Sequence, residues 1–161
     1  MKLETWEMLS YVVTVVGLPA AIVAFLFEKK RERDADEEEV YAQLSDNYQD
    51  FLKTALEHPD LKLFSMEETP ALTPEQRERM LIIFSMLVSL FERAYVLMYE
   101  RRMSKNQQRR WASWEDYMRE WGRREDFCRL LPELLQGEDQ DFREYILGLV
   151  DGKPASSVAQ P

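Results

Sequence analysis

Residues 8–27 read MLSYVVTVVGLPAAIVAFLF, twenty in succession without a charge, and Glu28-Lys29-Lys30-Arg31 follows at once. An α-helix rises about 1.5 Å per residue, so about twenty apolar residues match the ~30 Å hydrocarbon core of a bilayer. The run predicts a transmembrane helix whose first partner is membrane lipid. A cleaved signal peptide would instead show a basic start, an apolar stretch of about 7–15 residues and a small-residue cleavage site. Here Lys2 is opposed by Glu4 and Glu7, and the stretch ends in Phe25-Leu26-Phe27 and then charge. An uncleaved anchor fits these features. Gly17 and Pro19 lie mid-span, where both are tolerated and permit a kink, and Trp6 falls at the outer interface, where indole rings anchor.

Basic residues beside the span set its expected orientation. Lys29, Lys30, Arg31 and Arg33 follow it, whereas Lys2 alone precedes it. The positive-inside rule counts Lys and Arg and largely ignores acids, so the C-terminal domain is expected in the cytoplasm and residues 1–7 outside, in a single-pass protein of the cytoplasmic membrane. The lone Cys128 excludes an intramolecular disulfide, in keeping with a reducing compartment. Asp34, Asp36, Glu37, Glu38 and Glu39 repel anionic headgroups, which makes residues 28–39 a charged juxtamembrane stalk.

The whole chain carries 30 acidic against 21 basic side chains, so no nucleic-acid partner is expected, since such binders present a basic face. Five glycines in 161 residues and the lack of strand-like alternation predict an all-α fold: one N-terminal transmembrane helix, then a small bundle of about four helices over residues 40–150, then a flexible tail at 151–161. Four amphipathic segments carry this expectation. The first spans about 37–57 and ends at His58-Pro59, because the residue before a proline is driven out of the α region. The second opens at Thr73-Pro74, with Gln76 completing a capping box, and is apolar on nearly every side from Met80 to Tyr99. Glu92 and Arg93 inside that stretch count against a second span, so a central bundle helix is expected there. The third is expected to start at Ser113, leaving Trp111 outside, with Gly122 as a divider before Phe127, Leu130 and Leu131. The fourth spans about 140–150, with Phe142, Tyr145, Ile146 and Leu149 on one face.

Catalytic chemistry is hard to assemble from this sequence. His58 is the sole histidine, so two-His metal sites and Glu-x-x-His di-metal bundles are out of reach, and no Gly-rich phosphate loop occurs. No metal and no cofactor is expected. Cys128 sits among Phe127, Leu130 and Leu131 and reads as an inert thiol. Glu92 and Arg93 form a candidate buried polar pair: adjacent on a helix they point about 100° apart, so each needs its own partner. Arg101, Arg102 or Arg119 would serve Glu92, and Asp46, Asp50 or Asp116 would serve Arg93. Trp111, beside Arg109 and Arg110, is the candidate for an exposed partner contact, since Trp and Arg dominate interface hot spots.

The segments YAQLSDNYQDFLKTALEHPDL (41–61), LFERAYVLMYE (90–100) and WASWEDYMREWGRREDF (111–127) give the chain a wider likeness. In this order it resembles uncharacterised bacterial single-pass membrane proteins with a small all-helical cytoplasmic domain. The resemblance implies the architecture and brings no activity with it. Together these features predict a non-enzymatic, membrane-anchored interaction protein, an accessory subunit or adaptor of a larger membrane complex with a protein partner in or at the membrane. The alternatives are a membrane-tethered ligand-sensing or signalling module with a polar pocket near Glu92 and Arg93, and a carboxylate-dependent hydrolase.

Overall fold

Helices and no strands form among the residues that the computed structural model describes, 18–65 and 67–152. The chain divides into two compact units, residues 1–40 and 41–161. Helix α1, Leu18–Leu56, contributes to both. Its turns in the first unit present Leu18, Ile22, Val23, Phe25, Leu26 and Phe27, each between 50% and 70% exposed, and Lys29 reaches back over the Phe25 ring at 6.0 Å. Trp6, Gly17 and the rest of residues 1–17 lie outside the described residues, as does the expected kink. Pro19 belongs to the first described turn of α1.

The second unit is a helical bundle. The later turns of α1 bury Leu44, Tyr48, Phe51 and Ala55, a 4-3-4 stripe that gives the helix one inward face. His58 and Pro59 end it, and a 3-10 turn, Pro59–Leu61, begins the connector. Helix α2, Pro74–Met98, starts at Thr73, whose hydroxyl accepts from the Gln76 amide while the Gln76 side chain accepts from the Thr73 amide. This is the expected capping box. By length and composition α2 is the one described helix able to cross a membrane, and it lies mid-chain rather than at the N-terminus. It buries Met80, Ile83, Phe84, Leu87, Val88, Leu90, Phe91 and Ala94 and packs against the three helices that follow, so one face meets protein while Ile82, Met86, Val96 and Leu97 stay exposed.

Those helices are α3, Lys105–Trp121, α4, Glu125–Leu134, and α5, Gln140–Val150. The expected start of α3 at Ser113 is corrected: the cap is Ser104, in a second capping box with Gln107. The stretch that follows, rich in Lys, Arg and Gln, is made of good helix formers and adds turns ahead of Trp111. Gly122 does divide α3 from α4. A Cβ there would lie 2.7 Å from Val150 Cγ2 and 3.1 Å from the Met118 carbonyl, so only glycine lets the end of α3 approach the end of α5 this closely. Asp139 caps α5 by accepting from the Phe142 amide, and Phe142, Tyr145, Ile146 and Leu149 face inward as the sequence pattern predicts. Of the expected tail, residues 153–161 lie outside the described residues.

Candidate functional site

Trp111 is not an exposed contact. Lying inside α3, it completes a buried 3-4-3 stripe with Trp114, Met118 and Trp121, and only 4% of its surface is exposed. Its indole N–H donates to the Tyr145 hydroxyl at 3.0 Å, and that hydroxyl donates onward to the Glu115 carboxylate. Burial and the bond to Glu115 push the Tyr145 phenol far above its ordinary range. Tyr95, Tyr99 and Phe142 complete the surrounding cluster of rings. A parallel arrangement occurs at Trp121, whose N–H donates to Tyr48 at 3.2 Å, and burial pushes the Tyr48 phenol up to about 12. These tryptophans tie α3 to α5 and to α1. Each indole has buried its ring and still found an acceptor, the usual condition for a core tryptophan. Of the arginines beside Trp111, Arg109 is exposed, and Arg110 stacks over the Tyr41 ring at 5.8 Å.

Glu92 and Arg93 separate. Arg93 is exposed, and Glu92 is half-buried at the start of α5, where it accepts from the Asp139 amide at 2.6 Å and shares a hydrogen bond with Glu138. The buried polar pair expected here is therefore corrected. Neither residue meets the ionic partners considered for it, because a backbone N–H and a second carboxyl satisfy Glu92 while Arg93 has turned to the surface. Burial, then the Glu92 carboxylate, raise Glu138 to about 7.

The buried charges lie elsewhere. Arg124 and Asp126 are 2% and 0% exposed. Arg124 Nε and Nη2 donate to the two Asp126 oxygens at 2.6 and 2.8 Å, Nη1 donates to the carbonyls of Lys62 and Ser65 at 2.7 and 2.9 Å, and Nη2 also donates to Thr69 Oγ1 at 3.0 Å. All five guanidinium N–H groups are thereby used. Thr69 passes the chain on to the Leu61 carbonyl at 2.7 Å, and the guanidinium carbon sits 5.8 Å from the Phe84 ring centre. The whole assembly staples the 61–69 connector onto the bundle. With no donor left over, Arg124 is structural. The one clue in sequence is an acid two residues on, at the start of a helix.

Cys128 donates its thiol to the Gly122 carbonyl at 2.7 Å, and burial pushes its pKa up, as for an inert thiol. Among the described residues no group of three His, Cys, Asp or Glu side chains comes together to hold a metal ion.

Among the described residues, three surface features of the bundle stand open to solvent and could meet another molecule. A groove of about 390 Å³ runs between α1 and α2, floored by Phe51 and Leu90 and edged by Asn47, Asp50, Met86 and Arg93. A wider one, about 600 Å³, lies between the connector, the start of α2 and α4, with Pro70, Leu72, Leu81 and Leu130 along it and the Glu68–Arg129 ion pair at its rim. The third is the turn from α2 into α3, where Arg101, Arg102, Lys105 and Arg109 are all exposed. The sequence matches no protein-family model, no curated protein and no solved structure.

Proposed function

We propose that the chain is a non-enzymatic, membrane-anchored interaction protein, an accessory subunit or adaptor of a larger membrane complex. The observation that carries this reading is the first described stretch of α1. Leu18, Ile22, Val23, Phe25, Leu26 and Phe27 cover a little over half of the helix circumference with half or more of each surface uncovered, Ala20, Ala21 and Ala24 lie exposed on the rest, and Lys29, Lys30 and Arg31 close the run. An apolar helix bare all round is suited to lipid, and a basic collar at its end suits the cytoplasmic face. The bundle would then sit in the cytoplasm, with the N-terminus outside. The two surface grooves and the exposed Ile82 and Met86 on α2 give a partner places to bind.

Affinity purification of the tagged full chain from its native membranes in mild detergent tests the proposal. A co-purifying complex of fixed stoichiometry supports it, and a chain that elutes alone overturns it. A second reading, a ligand-sensing module, draws on Arg93, an exposed guanidinium at the edge of the 390 Å³ groove with no partner among the described residues. A metabolite that raises the melting temperature of the full chain, with the rise lost in Arg93→Gln, would favour it.

A further inference from the structure

We propose that the turn from α2 into α3 docks the bundle onto anionic lipid headgroups, as a second, reversible membrane contact beyond the anchor. The inference rests on the membrane-anchored reading above. Arg101, Arg102, Lys105 and Arg109 are four exposed cations within nine residues, in a chain whose net charge is −9. Among the described residues none of the four meets a carboxylate, and Arg101 lies within electrostatic reach of the Tyr95 hydroxyl.

Folding accounts for only half of this placement. Arg101 and Arg102 follow the C-terminal end of α2, where the helix dipole favours cations. Lys105 and Arg109 lie in the first turns of α3, at its positive end, and no acid balances them in the opening turn. Cations gathered at a helix N-terminus add to its field, which makes the turn a receptor for anions. Beside them the last turns of α2 expose Val96 and Leu97, at 60% and 56%. Apolar side chains next to a basic cluster are the combination that holds a surface to an anionic membrane: the cations meet phosphates and the apolar groups enter the acyl boundary.

Arg110 lies over the ring of Tyr41, so the first turns of α3 pack near the first residue of the second unit. The acids at 34–39 oppose approach to an anionic surface. Docking is therefore reversible and depends on anionic lipid and on salt, and it points to lipid rather than to free phosphate because the apolar pair has a role only at a bilayer.

The test uses the full chain carrying Cys128→Ser and Leu97→Cys, the new thiol labelled with an environment-sensitive fluorophore. It is reconstituted into nanodiscs of phosphatidylcholine alone or with phosphatidylserine added. Docking predicts a blue-shifted emission, quenched by spin-labelled lipid, only in the phosphatidylserine discs. It also predicts reversal by high salt and by R101E/R102E/K105E/R109E, with each cation removed lowering the docked ratio roughly fivefold. Because headgroups need only charge, R101K/R102K/R109K keeps the signal. The same emission in both disc types, or docking unchanged by charge reversal, overturns the proposal, and in that case an acidic protein surface is the better candidate for this turn. Entry of the chain into pure phosphatidylcholine discs reports the anchor separately. A chain that enters them and ignores phosphatidylserine loses the docking and keeps the tether, whereas one held only by phosphatidylserine discs loses the tether and keeps the docking.

Discussion

Arg124 and Arg93 belong to one bundle and share a side chain, yet they live in opposite conditions. Arg124 is sealed inside with every N–H engaged, and Arg93 stands at the edge of an open groove with no partner among the described residues. The difference teaches what burial asks of a cation. Inside, a guanidinium is tolerated only when its whole donor set is matched, and those matches then hold distant chain segments together. Outside, water does the matching, and the residue is free to meet something else.

Breaking the inner arginine should have the largest effect. Arg124→Ala leaves Asp126 charged, buried and unpaired, and it frees the carbonyls of Lys62 and Ser65, so a loss of about 3–5 kcal/mol is expected. Thermal or urea melting of the full chain measures it. Replacing both partners, Arg124→Met with Asp126→Leu, should recover a large part of the loss, since no lone charge is left inside. Gly122→Ala comes next, at about 1–3 kcal/mol, because the new methyl must displace Val150. Trp111→Phe keeps most of the ring packing and removes the N–H given to Tyr145, for about 1 kcal/mol.

Acids sharpen the same contrast. Glu138 titrates near 7 in the folded chain, against 4.5 for the ordinary side chain. Between those values the native state holds a proton that the unfolded chain has lost, so stability should fall as pH rises through 4.5 to 7 and level off above. In Glu138→Gln that slope should vanish, and the variant should melt higher at pH 8. The gain, after allowing for solvent screening at this partly exposed site, is about 1 kcal/mol or less. Arg93→Gln should be the smallest change, within about 0.5 kcal/mol, because the folded bundle makes no use of its charge.

Elements whose signals are local were legible in the sequence. The cap at Thr73 and the stripe of α5 needed only neighbouring residues and a helical period, and both appear as expected. The capping box at Ser104 and Gln107 carried the same signal, but the start was sought nine residues later, at Ser113. Trp111 was misplaced with it, since a tryptophan outside a helix cannot join a stripe. Glu92 was sought an ionic partner, whereas its acceptor oxygen meets a backbone amide, which any residue can supply. Arg124 shows the limit most clearly. Two of its five bonds go to carbonyls about sixty residues upstream, and side-chain chemistry in sequence does not record carbonyl positions.

That separation also places events in time. The connector between α1 and α2 receives its ties at Lys62 and Ser65 from a residue made 62 and 59 positions later. Synthesis at about 5–20 residues per second puts roughly 3–12 seconds between the carbonyls and the arginine that captures them. Throughout that interval the capped helix α2 can form while the loop before it hangs unfastened. Fastening of the connector is thus a late event, set by the arrival of a single side chain.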